Sequence, residues 1–255
     1  MSSFLKYPVI DTSITSTTKF AAINEILRRI ESNEGGYICF VNAHVSVMTR
    51  QSVDLKRAIN EATLALPDGM PVYLIGKFRH SKEMEKISGP DFLHHIFDHT
   101  EGRMLRHFFY GGTEEVLSKM IQNLEMQYPG CNIVGSISPP FREMSEEETS
   151  KHFQLMESKN AQIVWVGLGA PKQELWMHDN SKKLPGVIFM GVGAAFDFSA
   201  GNIARAPKWI QNCGLEWLHR LAQEPRRLWR RYLITNTLFV FYTVIGVIKK
   251  GMFNK

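Results

Sequence analysis

Several short, continuously apolar runs that end in Gly or Asn constrain this chain most. YICFVN at 37–42, AQIVWVGLG at 161–169 and GVIFMGVG at 186–193 are the clearest, and MLRHFFYG at 104–111 and CNIVGSI at 131–137 complete the set. A strand with one wet face alternates apolar and polar residues, whereas a run apolar throughout is buried on both faces, as in a parallel sheet covered by helices. Helical stretches stand between the runs at 18–32, 89–101, 114–128 and 145–160, the last opening on Ser145 and Glu148 at capping-box spacing. The expected fold class is α/β, a Rossmann-like open parallel sheet with helices on both faces. At 255 residues, 44% of them hydrophobic, the chain is long enough to bury such a core.

Charge divides the chain in two. Beyond position 201 there are ten basic residues against Glu216 and Glu224, and since the whole chain carries a net +5, the first 201 residues are net −3. The expected organisation is a mildly acidic α/β body at 1–201 and a basic, amphipathic helical appendage at 202–255, facing an anionic surface or polymer. Cys39, Cys131 and Cys213 form no C-x-x-C pair, so neither a disulfide framework nor a zinc site is expected, and a reducing compartment is the simplest reading. The first residues carry no signal-like apolar run, so no export is expected.

In open α/β sheets ligands bind beyond the carboxyl ends of the strands. The loops there read Asn42-Ala-His44, Tyr110-Gly-Gly112-Thr113, Ser138-Pro-Pro-Phe141-Arg142, the run from Gly167 to Glu174, and the run from Gly191 to Phe198. Their glycines permit close backbone approach to a phosphate, while the G-x-G-x-x-G and P-loop spacings are absent, which disfavours dinucleotide oxidoreductases and P-loop NTPases. Asp68, in Leu66-Pro-Asp-Gly69, reads either as a D-G turn or as a partly desolvated base. No D-x-D pair is present to hold a divalent ion, so neither metal nor cofactor is expected, and arginine is the natural partner for phosphate.

Six segments, in order, resemble the WecG/TagA/CpsF family of bacterial glycosyltransferases: Val41–His44, Leu66–Pro71, Gly169–Glu174, Gly191–Asp197, Arg205–Lys208 and Gly214–Arg227. The resemblance implies inverting transfer of a sugar from a UDP-sugar donor to a polyprenyl-diphosphate-linked acceptor on the cytoplasmic face of the membrane. It implies Asp68 as general base, Asn42 at the donor or acceptor pocket, Gln173 near the sugar or diphosphate and Asp197 at the uridine. From the residues themselves, Gly112 reads as a turn glycine or as room for a phosphate, and Phe141, after two prolines, as a packing anchor or a stacking partner for uracil. Arg220, Arg227 and Arg230, spaced as one helical face, align with the arginines that receive the diphosphate. Some relatives carry Thr two residues before the Asn, where this chain has Phe40.

The 17 mostly apolar residues of 232–248 fall at the short limit for a span, and with arginines before them and lysines after they suit peripheral or monotopic attachment. The expected partners are the donor, the lipid-linked acceptor and the anionic membrane surface. A nucleic-acid binder would share the basic tail but not its apolar continuation; a UDP-sugar-binding regulator without turnover would share the loops. A homo-oligomer stays open.

Overall fold

The computed structural model describes residues 4–79, 83–100 and 104–253; Lys255 of the basic tail lies outside them. In chain order the strands are β1 (Lys6–Val9), β2 (Thr12–Thr15), β3 (Gly36–Val41), β4 (Leu64–Pro67), β5 (Arg106–Gly111), β6 (Asn132–Ile137), β7 (Ile163–Gly167) and β8 (Ile188–Gly191). The helices are α1 (Lys19–Glu31), α2 (Ala43–Met48), α3 (Val53–Asn60), α4 (Met70–Arg79), α5 (Gly89–His99), α6 (Glu114–Gln127), α7 (Glu146–Ser158), α8 (Lys172–Asn180), α9 (Ala195–Ser199), α10 (Lys208–Asn212), α11 (Glu216–Gln223) and α12 (Pro225–Phe253).

Six strands form one sheet in the order β4-β3-β8-β7-β5-β6, and every pairing is parallel. Period-2 alternation sends the side chains of each apolar run to opposite faces. Ile38, Phe40, Ile163, Trp165, Ile188 and Met190 join the core under α1, α5, α6 and α9. Tyr37, Cys39, Val41, Val164, Val166 and Phe189 join the core under α2, α3, α7 and α8. The expected α/β class and its five strands are all present, and the Ser145/Glu148 capping box forms in both directions, a contribution of about 1 kcal/mol.

Two features go beyond the sequence expectation. β4 is a sixth strand: four apolar residues ending in Pro67, at the sheet edge, where proline's missing N–H leaves no ladder bond broken. β1 and β2 form a separate antiparallel hairpin. One expectation is corrected. Arg220 does not share a helix with Arg227 and Arg230, because α11 ends at Gln223 and α12 begins at Pro225. Proline disfavours helical geometry in the residue before it, and Glu224 sits at φ −128°, ψ 57°.

The C-terminal helices lie on the body. Leu228, Thr235 and Phe239 are buried, and the Thr235 hydroxyl meets His44 Nδ1 of α2 at 3.0 Å. Arg50 lies over the Tyr242 ring at 5.0 Å. The opposite side of α12 leaves Trp229, Leu233, Ile234, Phe241, Val244 and Ile248 exposed. Among the described residues no helix is long and apolar enough to cross a membrane.

Candidate active site

β3 and β4 are neighbours in register, with Val41 opposite Pro67, so the next residues, Asn42 and Asp68, stand side by side at the carboxyl edge. The Asp68 N–H donates to Val41 O at 3.0 Å. Asn42 does two jobs: its Oδ1 caps α2 by accepting from the Val45 N–H at 3.1 Å, and its side chain hydrogen-bonds the Asp68 carboxyl. Gly69 follows at φ +85°, a conformation open to glycine at no steric cost, and lets the chain turn into α4. Phe40, where some relatives carry Thr, is buried against Phe92 with ring centroids 5.5 Å apart and is committed to the core.

The C-terminal segment closes over this pair. The Gly214 turn (φ +74°) is seated so tightly on Met70 that an added Cβ would lie 2.8 Å from Met70 Cβ. Lys86 donates to Gln211 O at 3.2 Å. Arg205 forks onto the Asp91 carboxylate with both bonds at 2.7 Å and reaches Glu216 at 3.5 Å. Burial alone would raise the Asp91 carboxyl, but Arg205, Ser88 and Lys208 outweigh it and hold it well below the usual range. This ion pair ties α5 to the start of the C-terminal segment.

Asp68 itself is pushed up to about 6. Loss of hydration is the main cause, Glu216 adds repulsion, and Asn42, Lys86 and Arg205 act in the opposite direction. A carboxyl poised near neutrality is suited to accept a proton from a hydroxyl. A base must be ionised to act, so the acidic limb of a kcat/KM profile should fall about tenfold per pH unit below about pH 6. Glu216→Gln removes the repulsion and should move that limb to lower pH. A limb unmoved in Glu216→Gln would remove Glu216 from the electrostatics of Asp68.

The arginines divide into inner and outer sets. The Nε atoms of Arg220, on α11, and Arg231, on α12, are buried and have no hydrogen-bond partner among the described residues. Arg220 also lies 5.4 Å from the Phe198 ring centroid. Burial above all, with Arg220 and Arg227 nearby, pulls the Arg231 guanidinium down from its ordinary value. Burial and Arg231 together lower His44 to about 4, so its ring is neutral. The Tyr232 phenol stands among Arg220, Arg231, Glu216 and Asp68. Arg227 is exposed and pairs with Glu224 at 2.8 Å, and Arg230 is exposed. Arg231, Tyr232, Glu216 and Lys86 were not singled out from the sequence. The Arg226-Arg-Leu-Trp-Arg-Arg231 cluster names the region of Arg231 but not which guanidinium turns inward.

The other predicted residues follow the carboxyl ends of β5, β6, β7 and β8. α6 follows β5 onto one face and α8 follows β7 onto the other, which opens a crevice between the two loops. Gly111 and Gly167 are in close approach there, since a Cβ on Gly111 would fall 2.6 Å from Gly167 backbone atoms, and Gly112 follows at φ +70°. Gln173 is 4% exposed: its Oε1 accepts from the Gly169 N–H at 3.2 Å and its Nε2 donates to Gly191 O at 2.8 Å and to Glu174 Oε1 at 2.9 Å. Its amide is thereby committed to protein partners. Asp197, half-buried, lies in the first turn of α9. Phe141 is 87% exposed on the loop after β6. β6 and β4 are opposite edges, so about 24 Å of sheet separates the Phe141 loop from the strand that carries Asp68.

The sequence matches the glycosyl transferase WecG/TagA/CpsF family over residues 7–252. The chain belongs to this family. It is also similar to the N-acetylglucosaminyldiphosphoundecaprenol N-acetyl-β-D-mannosaminyltransferase of Bacillus spizizenii, at 29% identity over 204 residues, which cover 80% of this chain and 77% of the relative. The matched region takes in both the parallel sheet and α10–α12. The chain is accordingly a glycosyltransferase of polysaccharide synthesis.

Proposed function

We propose that this chain moves a hexose or N-acetylhexosamine-type sugar from a UDP-sugar to a polyprenyl-diphosphate-linked glycan, with inversion at the anomeric carbon and without a metal ion. The observation that carries the reading is that Asp68, a carboxyl raised toward neutrality, stands around the same Tyr232 phenol as Arg220 and Arg231, whose Nε atoms are buried and have no hydrogen-bond partner among the described residues. Asp68 takes the proton of the attacking acceptor hydroxyl as its oxygen bonds to the anomeric carbon, the bond to the UDP oxygen breaks, and UDP leaves. Asn42 holds the Asp68 carboxyl and the incoming hydroxyl in line.

Charge develops on the departing diphosphate, and donors fixed in a desolvated site stabilise it without reorganisation. Arg220 and Arg231 fill that role. Arg227 and Arg230, outward on α12, meet phosphates at the membrane surface and guide the acceptor's diphosphate inward. Gly112 lets the backbone approach the donor phosphates, Asp197 binds the uridine and Gln173 shapes the sugar pocket. The exposed apolar side of α12 enters the lipid boundary of the cytoplasmic leaflet while Arg226, Arg227 and Arg230 meet anionic head groups. Residues 202–255 serve as an appendage that brings the body to its acceptor and completes the site.

The test is a panel of UDP-sugars offered with a short-chain polyprenyl-diphosphate-linked sugar, with products read by mass spectrometry. Transfer from at least one UDP-sugar, in β configuration from an α-linked donor, is the expected result; donor binding without any transfer would favour a regulator. Activity is expected to survive EDTA, since arginines supply the positive charge. Full loss on chelation, restored by Mg²⁺ or Mn²⁺, would overturn that part of the proposal.

A further inference from the structure

Glu174 is fully buried, yet only one of its carboxyl oxygens is satisfied. Oε1 accepts from Gln173 Nε2 at 2.9 Å, and Oε2 has no hydrogen-bond partner among the described residues. Loss of hydration drives the carboxyl up to about 7, and the titratable group facing it from β3 is the buried Cys39 thiol. An orphaned buried oxygen costs stability that an apolar residue of similar volume would not. Local rules of this kind are broken where function demands it.

The geometry shows what the group does. The Gln173 amide spans the loops that follow β7 and β8: it accepts from Gly169 on the β7 side and donates to Gly191 on the β8 side. The fit is close, since an added Cβ on Gly191 would lie 3.2 Å from Gln173 Nε2, and one on Gly193 would lie 3.5 Å from Gln173 Oε1. An amide nitrogen has two hydrogens. One goes to Gly191 and the other to Glu174, so Glu174 is the anchor, inside the core, that keeps this crossbar from swinging.

We propose that Glu174 is a positioning residue for sugar transfer, acting through the Gln173 amide to fix the spacing of the 167–171 and 191–193 loops. It touches no substrate. The inference rests on the transferase reading, but its first readout does not depend on turnover. In Glu174→Leu, amide hydrogen exchange in 167–171 and 191–193 should quicken at least about tenfold while the rest of the sheet stays protected. The melting temperature should change little, because loss of the orphaned Oε2 is offset by the Gln173 N–H left without its acceptor. Displaced loops misalign the reacting atoms, so kcat should fall about 10- to 100-fold with KM nearly unchanged.

Glu174→Gln keeps an oxygen that accepts from Gln173 and should retain wild-type exchange and kcat within about threefold. Glu174→Ala, which cannot overfill the site, serves in place of leucine if that variant does not fold. Unchanged exchange in both apolar variants would refute the crossbar whether or not the chain proves to be a transferase. So would a glutamine variant as impaired as leucine, or exchange that rises across the whole sheet as stability and kcat fall together.

Discussion

Asp68→Asn is expected to lower turnover by roughly 100-fold or more, the range that loss of a general base gives, while folding and UDP binding stay close to wild type. The substitution is nearly isosteric, and the Asn42 side chain can still hydrogen-bond the new amide. The buried pocket that raises the carboxyl accommodates a neutral group without penalty: a group whose folded pKa lies above its unfolded value loses stability as pH rises between the two, here from 3.8 to about 6. Asp68→Asn should thus match or exceed the wild-type melting temperature at pH 7 and lose that pH dependence. The measurement is kcat and KM for donor and acceptor beside UDP affinity by calorimetry. Wild-type turnover with Asn at 68 would remove Asp68 from the chemistry.

Most of the sheet was legible because burial on both faces leaves a period-free apolar signature. β3, β5, β7 and β8 announce themselves in this way. β4 did not, since four residues ending in proline are indistinguishable from the approach to a D-G turn. At the site, Asp68 and Asn42 lie at breaks in apolar runs, but a D-G turn and a strand-end cap look the same, and only the family resemblance singles them out. Glu216 and Lys86 were not: their relation to Asp68 is through space, created when the Gly214 turn seats on Met70. Glu174 was hidden for another reason. It looks like an ordinary first-turn acid of α8, and nothing in one sequence tells that its side chain points into the core. The arginine face failed as spacing because seven- and three-residue intervals describe one face only if the helix is unbroken, and Pro225 breaks it.

That break has the largest consequence for mutagenesis in the C-terminal segment. Arg220 and Arg231 converge from two helices with buried, unpartnered Nε atoms, a costly arrangement unless an anion arrives to share them. With a water-soluble acceptor analogue, Arg220→Ala and Arg231→Ala should each reduce kcat/KM by an amount equivalent to about 2–4 kcal/mol, the scale of losing one preorganised donor to a developing anion. Arg227→Ala and Arg230→Ala should lie near wild type in that assay, because their guanidinium groups are solvated and Arg227 already has Glu224. Against lipid-linked acceptor in vesicles containing anionic phospholipid, the order changes: each exposed arginine is worth about 1 kcal/mol of membrane attraction, and the Arg227/Arg230 double variant should lose activity in proportion to its lost vesicle binding. Added salt should reproduce that loss in the wild type and leave the soluble-acceptor assay far less affected, since screening acts on exposed charge before buried charge. If Arg231→Ala retains full activity on the soluble acceptor while Arg230→Ala does not, the outward helix face is the one that meets the diphosphate, and the inner pair serves only to seat α12 on the body.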